Sequence, residues 1–430
     1  MKLKSLFASI LLFVLVTFSA LAQTTKEEFY QNSSIFPGYH TPYYGGNDKL
    51  TPAPKGYKPV YVYHFGRHGS RFDMNPEHPG KCIEVLEKAK NDDMLTSAGE
   101  ELLEIVKDFA AFAEGREGQL SVVGQKEHEG IAARMYKNYK SLFGGKDVKV
   151  VARTSDVPRC IVSMASFCGE LRSLNPKMDI SLDSSPTYHK YLKNGSGIAI
   201  RDKDYKKYTD KFKDSCKMNP EYLVKMVFKP GYEKKLKEGG RRFMDELMGI
   251  YIYFDCTGFG SERIKKYFTD DDRYMSWLSS TYYFYVKYGP SPLFDKYIVG
   301  AAHVPVEYFR NCVNEALSGR GPAANLHFSH DSFILPFASL LNINGIDQKE
   351  TDPEKVSLVF SDYKAVPMAV NIQFIFFKNP KGDVLFKILY NEKEAELPGV
   401  EKVCGPYYSW DAVQPYIEER LAKYPAPVAK

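Results

Sequence analysis

"VYVYHFGRHGSRFDMNPEHPG", residues 60–80, opens as a run of β-branched and aromatic residues and then sets Arg67, His68 and Arg71 around Gly69 and Ser70. The run has the composition of a buried strand, and the charge arrives where that strand must end. In open α/β sheets, ligands bind outside the carboxyl ends of the strands, where helix N-termini also point. Two later stretches repeat the logic. "DVKVVART", 147–154, reads as a strand ending near Arg153, and "LHFSHDSFILPFASLLNI", 326–343, is a short apolar strand, then His330 and Asp331, then a helix. If the three strands are neighbours, the guanidiniums of Arg67, Arg71 and Arg153 and the imidazoles of His68 and His330 meet at one spot. Such a cluster repels itself unless an anion fills it.

The rest of the chain supplies the setting. Residues 1–22, "MKLKSLFASILLFVLVTFSALA", show two lysines, an apolar stretch and an Ala-Leu-Ala end, the pattern of a secretory leader. No Lys/Arg cluster or second span follows, so export without stable membrane association is expected, to a periplasm or the medium. Roughly 400 residues remain, enough for two subdomains. The formal net charge is only +5, with Lys2 and Lys4 in the leader, which argues against a nucleic-acid partner. All 7 cysteines lie beyond the leader, widely spaced and without a zinc-like CxxC pair; the odd number leaves at least one free or paired between chains.

Strand and helix signals alternate at both ends of the chain. "SAGEELLEIVKDFAAFA", 97–113, predicts an amphipathic helix with a Ser97/Glu100 capping box. A second helix is expected over 124–142, and "SDVPRCIVSMASFCGEL" opens a third that runs to about Leu171. "PMAVNIQFIFFKNPKGDVLFKILYN" reads as two long strands joined by a turn at 379–383. The fold class is therefore α/β: a mostly parallel central sheet with flanking helices, built from 23–174 and 291–430, with 175–290 a mainly helical insertion. Residues 190–217 carry 9 Lys/Arg against 4 Asp, either a solvated helical face or a lid that attracts anions.

A phosphoryl group fits the cationic cluster best, because the guanidinium fork donates bidentate hydrogen bonds to its oxygens. Phosphoryl transfer asks mainly for positioning and charge stabilisation. A neutral imidazole can attack phosphorus, and Asp331 is a carboxyl group placed to protonate a leaving oxygen. Taken singly, each piece has a plainer explanation: a surface turn, a salt-bridge arginine, a helix cap. Their joint occurrence at strand ends favours the catalytic one.

These residues resemble the histidine acid phosphatase branch of the histidine phosphatase superfamily, which includes phytases and multiple inositol polyphosphate phosphatases. The resemblance rests on "RHGSR", "ARTSDVPRCIVSM" and "FSHDSFIL", and extends through "LSVVGQKEHEGIAARMYKNYKSLF" to "YNE" at 390–392. It implies His68 as a nucleophile forming a phosphohistidine, Arg67, Arg71, Arg153 and His330 as phosphate ligands, and Asp331 as proton donor. It implies an exported acid phosphomonoesterase with no metal or other cofactor, acting on an anionic phosphate ester such as phytate. Two departures stand out: Phe72-Asp73 where the family often has x-Pro after the motif, and His330-Asp331-Ser332 where the inositol-polyphosphate branch commonly has His-Ala-Glu. A broad-specificity or sugar-phosphate acid phosphatase, a mutase and a non-catalytic anion-binding protein remain as alternatives.

Weaker candidates carry structural explanations. His64, His78, His128, His189, His303 and His327 lack metal-ligand spacing. "TDDDR", 269–273, reads as an acidic helix start rather than a cation site.

Overall fold

The computed structural model describes residues 24–193 and 204–427. The predicted leader and part of the basic stretch lie outside the described residues. Helices of ten residues or more are numbered here in chain order.

One mixed sheet organises the chain. Its strands are β1 (Lys58–Arg67), β2 (Lys149–Thr154), β3 (Asp179–Asp183), β4 (Ala324–Ser329), β5 (Asn371–Lys378), β6 (Val384–Tyr390), β7 (Lys393–Ala395) and β8 (Tyr408–Ser409). The order is β3-β2-β4-β1-β5-β6-β7, with β8 on β6. The ladders β3/β2, β2/β4 and β4/β1 are parallel, β5 runs against β1, and β6 turns back to their direction. The sheet is thus mostly parallel, and its parallel half carries the three strand ends picked out above. β3 extends it past the expected boundary at residue 174.

Alternation along β1 divides the core. Tyr61, Tyr63 and Phe65 enter one hydrophobic cluster and Val62 the other. On the first face lie α1 (Glu77–Asn91), α2 (Ser97–Ala113), α6 (Arg241–Tyr251), α7 (Asp270–Lys287), α8 (His303–Leu317), α9 (Asp331–Leu340) and α10 (Trp410–Lys423). On the second lie α3 (Val122–Asn138) and α4 (Pro158–Leu174). Between β3 and β4 the described residues form only helices and short 3₁₀ turns, among them α5 (Asp204–Ser215). On α5, Thr209 and Phe212 are buried while Lys206, Lys207, Lys211 and Lys213 face solvent, so this part of the basic stretch is a solvated helical face.

Local chemistry sets the helix starts. Thr96, not Ser97, caps α2, accepting the Gly99 N–H at 3.0 Å. Thr269 and Asp272 form a reciprocal capping box at α7, which explains the acids of "TDDDR". No helix among the described residues is long and apolar enough to cross a membrane. All seven cysteines are free thiols, and only Cys404 is exposed.

The second core cluster also encloses imidazoles. His64 sits against Phe167 and Phe328, and His128 against Phe328, with no hydrogen-bond partner on the His128 ring among the described residues. Burial pushes both pKa values down to about 3, so the fold holds them neutral while the unfolded chain protonates them near 6.5. The sign follows: stability falls as pH drops below about 6.5 and levels off near 3. At about pH 5 each such histidine lowers stability by about 2 kcal/mol relative to neutral pH. Urea unfolding at about pH 7 and 5 should therefore show a drop that shrinks by about 2 kcal/mol in His128→Phe. An undiminished drop in that variant would mean His128 does not contribute.

Candidate active site

Parallel pairing brings the motif ends together. Arg67 stands opposite Ser329 across β1/β4, so His68 and His330 follow side by side, and the His68 N–H donates to the Ser329 carbonyl at 2.9 Å. Their rings meet edge to face at 5.5 Å. The His68 Nδ1 lies 2.9 Å from the Gly69 carbonyl. A carbonyl only accepts, so Nδ1 carries the proton and Nε2 keeps its lone pair. Burial, followed by the charges of Arg67, Arg159, His330 and Arg71, holds the His68 imidazole neutral, well below its ordinary pKa.

The loop after His68 is shaped by a crossing of two glycines. A Cβ on Gly69 would meet the Gly124 carbonyl oxygen at 2.6 Å, and a Cβ on Gly124 would meet the Ser70 carbonyl oxygen at 2.2 Å. The start of α3 therefore presses directly on the loop. From α3 the half-buried Glu127 carboxylate accepts the Ser70 N–H at 2.7 Å, the Ser70 hydroxyl at 2.6 Å and the Tyr43 N–H at 2.8 Å. Tyr43 in turn donates its hydroxyl to Glu392, which Arg134 holds with Nε and Nη2. Beyond Arg71 the chain follows 118–120, with Phe72 N–H donating to the Gln119 carbonyl and Gly118 N–H to the Asp73 carbonyl. That pairing fixes the loop where proline is absent.

The cations are buried and rigid. Arg67 donates through Nη1 to the carbonyls of Tyr39 (2.7 Å) and Val366 (2.6 Å), and its Nη2 lies 2.7 Å from the Asp331 carboxylate. The Tyr39 segment is anchored by the buried carboxyl of Asp362, which accepts from Tyr39 N–H, Trp277 Nε1, Ser280 and Thr281. Arg71 lies over the Tyr253 ring and donates to the Phe72 carbonyl. Asp331 begins α9 and accepts the Ser332 N–H at 2.6 Å. Burial raises its pKa, but Arg67 first, then His330, the Ser332 N–H and Arg71, outweigh burial and hold it below the usual carboxylate value. His330, pushed down to about 4 by burial and by Arg159, is therefore a neutral hydrogen-bonding group, set against Ser155 and Cys160.

Arg153 is not part of this assembly. In register with His327, two residues short of the level of Ser329 and Arg67, it bonds the Tyr308 hydroxyl and lies 3.9 Å from the Tyr188 ring centroid. Its charge acts on His327 and Tyr63. Arg159, second residue of α4 after Pro158, takes the place expected of it, because the first turn of that helix aims back at the strand ends. Its charge acts on both His68 and His330, and its buried Nε has no partner. The signal was in "DVPRCIVSM": a proline-started helix turn after a strand places its second residue nearer the strand ends than a side chain inside the strand. Sequence reasoning also missed Glu127, whose role depends on a contact across 57 residues.

Among the described residues no group of three or more His, Cys, Asp or Glu side chains could hold a metal ion. Asp331 is the carboxylate that meets this cluster of cations, an arrangement that fits a tetrahedral oxyanion. A sequence profile described as the histidine phosphatase superfamily (branch 2) matches residues 62–391, a span that includes Arg67, His68, Arg71, Glu127, Arg159, His330 and Asp331. The chain belongs to that superfamily branch. It is thus a histidine-type acid phosphatase by family, and its fold agrees. This phosphatase superposes on a Bifidobacterium longum multiple inositol polyphosphate phosphatase solved with phosphate with a TM-score of 0.77 at 18% identity, covering 90% of this chain and 98% of that one. For the same enzyme with inositol hexasulfate the TM-score is 0.74 at 18% identity, with the same coverage. The phytase from D. castellii gives 0.65 at 15% identity, covering 94% of the phosphatase and 91% of that chain. No curated protein matches the sequence.

Proposed function

We propose that the protein is an exported phosphomonoesterase acting on inositol polyphosphates such as phytate through a phosphohistidine at His68. The observation that carries the mechanism is the fixed tautomer of His68, with Nδ1 tied to Gly69 and Nε2 free, amid Arg67, Arg71 and Arg159. His68 Nε2 forms the bond to phosphorus as the ester P–O bond breaks. Arg67, Arg71, Arg159 and His330 hold the non-bridging oxygens, and Asp331 gives its proton to the departing alkoxide. Water then attacks the phosphohistidine with the Asp331 carboxylate as base, releasing inorganic phosphate. The helical stretch between β3 and β4 would act as a cap over the leaving alcohol. Support for an inositol polyphosphate comes from structural likeness to enzymes of that kind, and support for export from the leader pattern.

Asp331 rests as a carboxylate on Arg67, yet must be protonated to act as an acid. An incoming phosphate competes for Arg67, removing the partner that depresses the Asp331 pKa and adding negative charge beside it. Substrate binding thus arms the acid. Asp331→Asn should cost inositol hexakisphosphate hydrolysis about a hundredfold or more, and p-nitrophenyl phosphate, whose leaving group needs no proton, markedly less. Phosphate release measured in EDTA from about pH 3 to 8 checks this. Equal losses on the two esters would remove the proton-donor role, and binding of phosphate without turnover in the wild type would favour an anion-binding protein.

A further inference from the structure

Near the proton donor stands a half-buried lysine held among three tyrosines. Lys287 closes α7. Its Nζ donates to the Tyr283 hydroxyl and lies 5.0, 4.8 and 4.9 Å from the ring centroids of Tyr205, Tyr283 and Tyr288. The Tyr288 side chain also hydrogen-bonds it. Among the described residues no carboxylate lies within ion-pair distance of it, whereas Lys349, also half-buried, bridges Asp295 and Asp347. Tyr283 and Tyr288 pack against Phe284, ring centroids 5.8 and 5.4 Å away, Phe284 packs on Tyr39 at 4.1 Å, and the Tyr39 carbonyl accepts from the Arg67 guanidinium that holds Asp331, which puts the cage and the carboxyl in one neighbourhood.

A partly desolvated ammonium is costly unless compensated. Aromatic faces offset part of that cost, but they leave the charge in place. The rings also restrict a side chain that otherwise has much rotamer freedom to lose on binding. Phosphoryl transfer runs in line, with nucleophile and leaving oxygen on opposite sides of phosphorus. Since Asp331 serves the leaving oxygen, a cation on the Asp331 side faces the alcohol rather than the phosphate being cleaved.

Building on the phosphomonoesterase reading, we propose that Lys287, presented by Tyr205, Tyr283 and Tyr288, receives a second anionic group on the departing alcohol. The site thereby selects esters that carry more than one phosphate. Lys287 is a specificity-determining residue in this account, and the cage tyrosines are positioning residues.

The test compares wild type, Lys287→Met and Lys287→Arg in two independent measurements. Calorimetry with inositol hexasulfate and with inorganic sulfate needs no turnover. Lys287→Met should weaken hexasulfate binding about tenfold more than sulfate binding, and Lys287→Arg should keep most of the preference. In kinetics, the ratio of kcat/KM on inositol hexakisphosphate to that on p-nitrophenyl phosphate should fall about tenfold in Lys287→Met, mainly through KM. Equal weakening of both ligands, or an unchanged ratio, overturns the proposal and leaves Lys287 as a pin between α5 and α7. If the wild type releases phosphate from neither ester, the functional reading fails while the calorimetric comparison still decides the role of Lys287.

Discussion

His68→Ala abolishes phosphate release, by at least about a thousandfold, on every ester the wild type cleaves. The size follows from what the side chain supplies. Without Nε2 no covalent intermediate forms, and a water entering the space the ring vacates is a far weaker nucleophile than the imidazole. The variant should remain folded, because the ring gives up one hydrogen bond, to the adjacent Gly69 carbonyl, and the loop is held independently by Glu127 and the Gly69–Gly124 crossing. Inorganic phosphate should still bind, since Arg67, Arg71 and Arg159 remain. Circular dichroism and phosphate calorimetry on the same preparation separate loss of chemistry from loss of fold. Retained turnover would mean that another group attacks phosphorus.

Arg159→Ala is expected to lower kcat/KM by about a hundredfold or more, the scale seen when a preorganised donor to developing charge is removed. Arg159→Lys should recover only part, because an ammonium keeps the charge and loses the planar fork. Arg153→Ala should cost activity far less and show itself in stability, through the lost contact with the Tyr188 ring, worth about 1 kcal/mol. Kinetics of the three variants beside thermal melts check the assignment. The reverse ranking, with Arg153 dominant, would mean that the site is built differently in solution from the geometry described here.

That contrast also shows what the sequence made legible. Arg67, His68, Arg71, His330 and Asp331 could be picked out because each ends or follows a strand whose β-branched and aromatic run is plain, and parallel neighbours must end together. Arg153 misled for the same reason: it lies within a strand end, but it stands level with His327, two residues short of Ser329 and Arg67, and bonds Tyr308. What a strand side chain meets depends on what packs at its level, and α8 comes from residues 303–317, far along the chain. The Thr96 cap was missed by one residue because Ser97 and Thr96 are both competent caps and only the N–H geometry chooses. β3, placed inside the expected insertion, has just five residues with one buried side chain, too little apolar pattern to stand out. Contacts such as Glu127 with Ser70, or Lys287 with Tyr205, join separate elements and leave no local periodic trace.

The claim on which the rest depends is the phosphorus–nitrogen bond at His68. Rapid mixing of the enzyme with a ³²P-labelled phosphomonoester, followed by quenching in base, should trap label on protein in up to one equivalent. The adduct should be labile to acid and stable to alkali, and peptide mapping should place it on His68. Label on any other residue, or phosphate release with no labelled protein in samples quenched at any time point, would contradict the account.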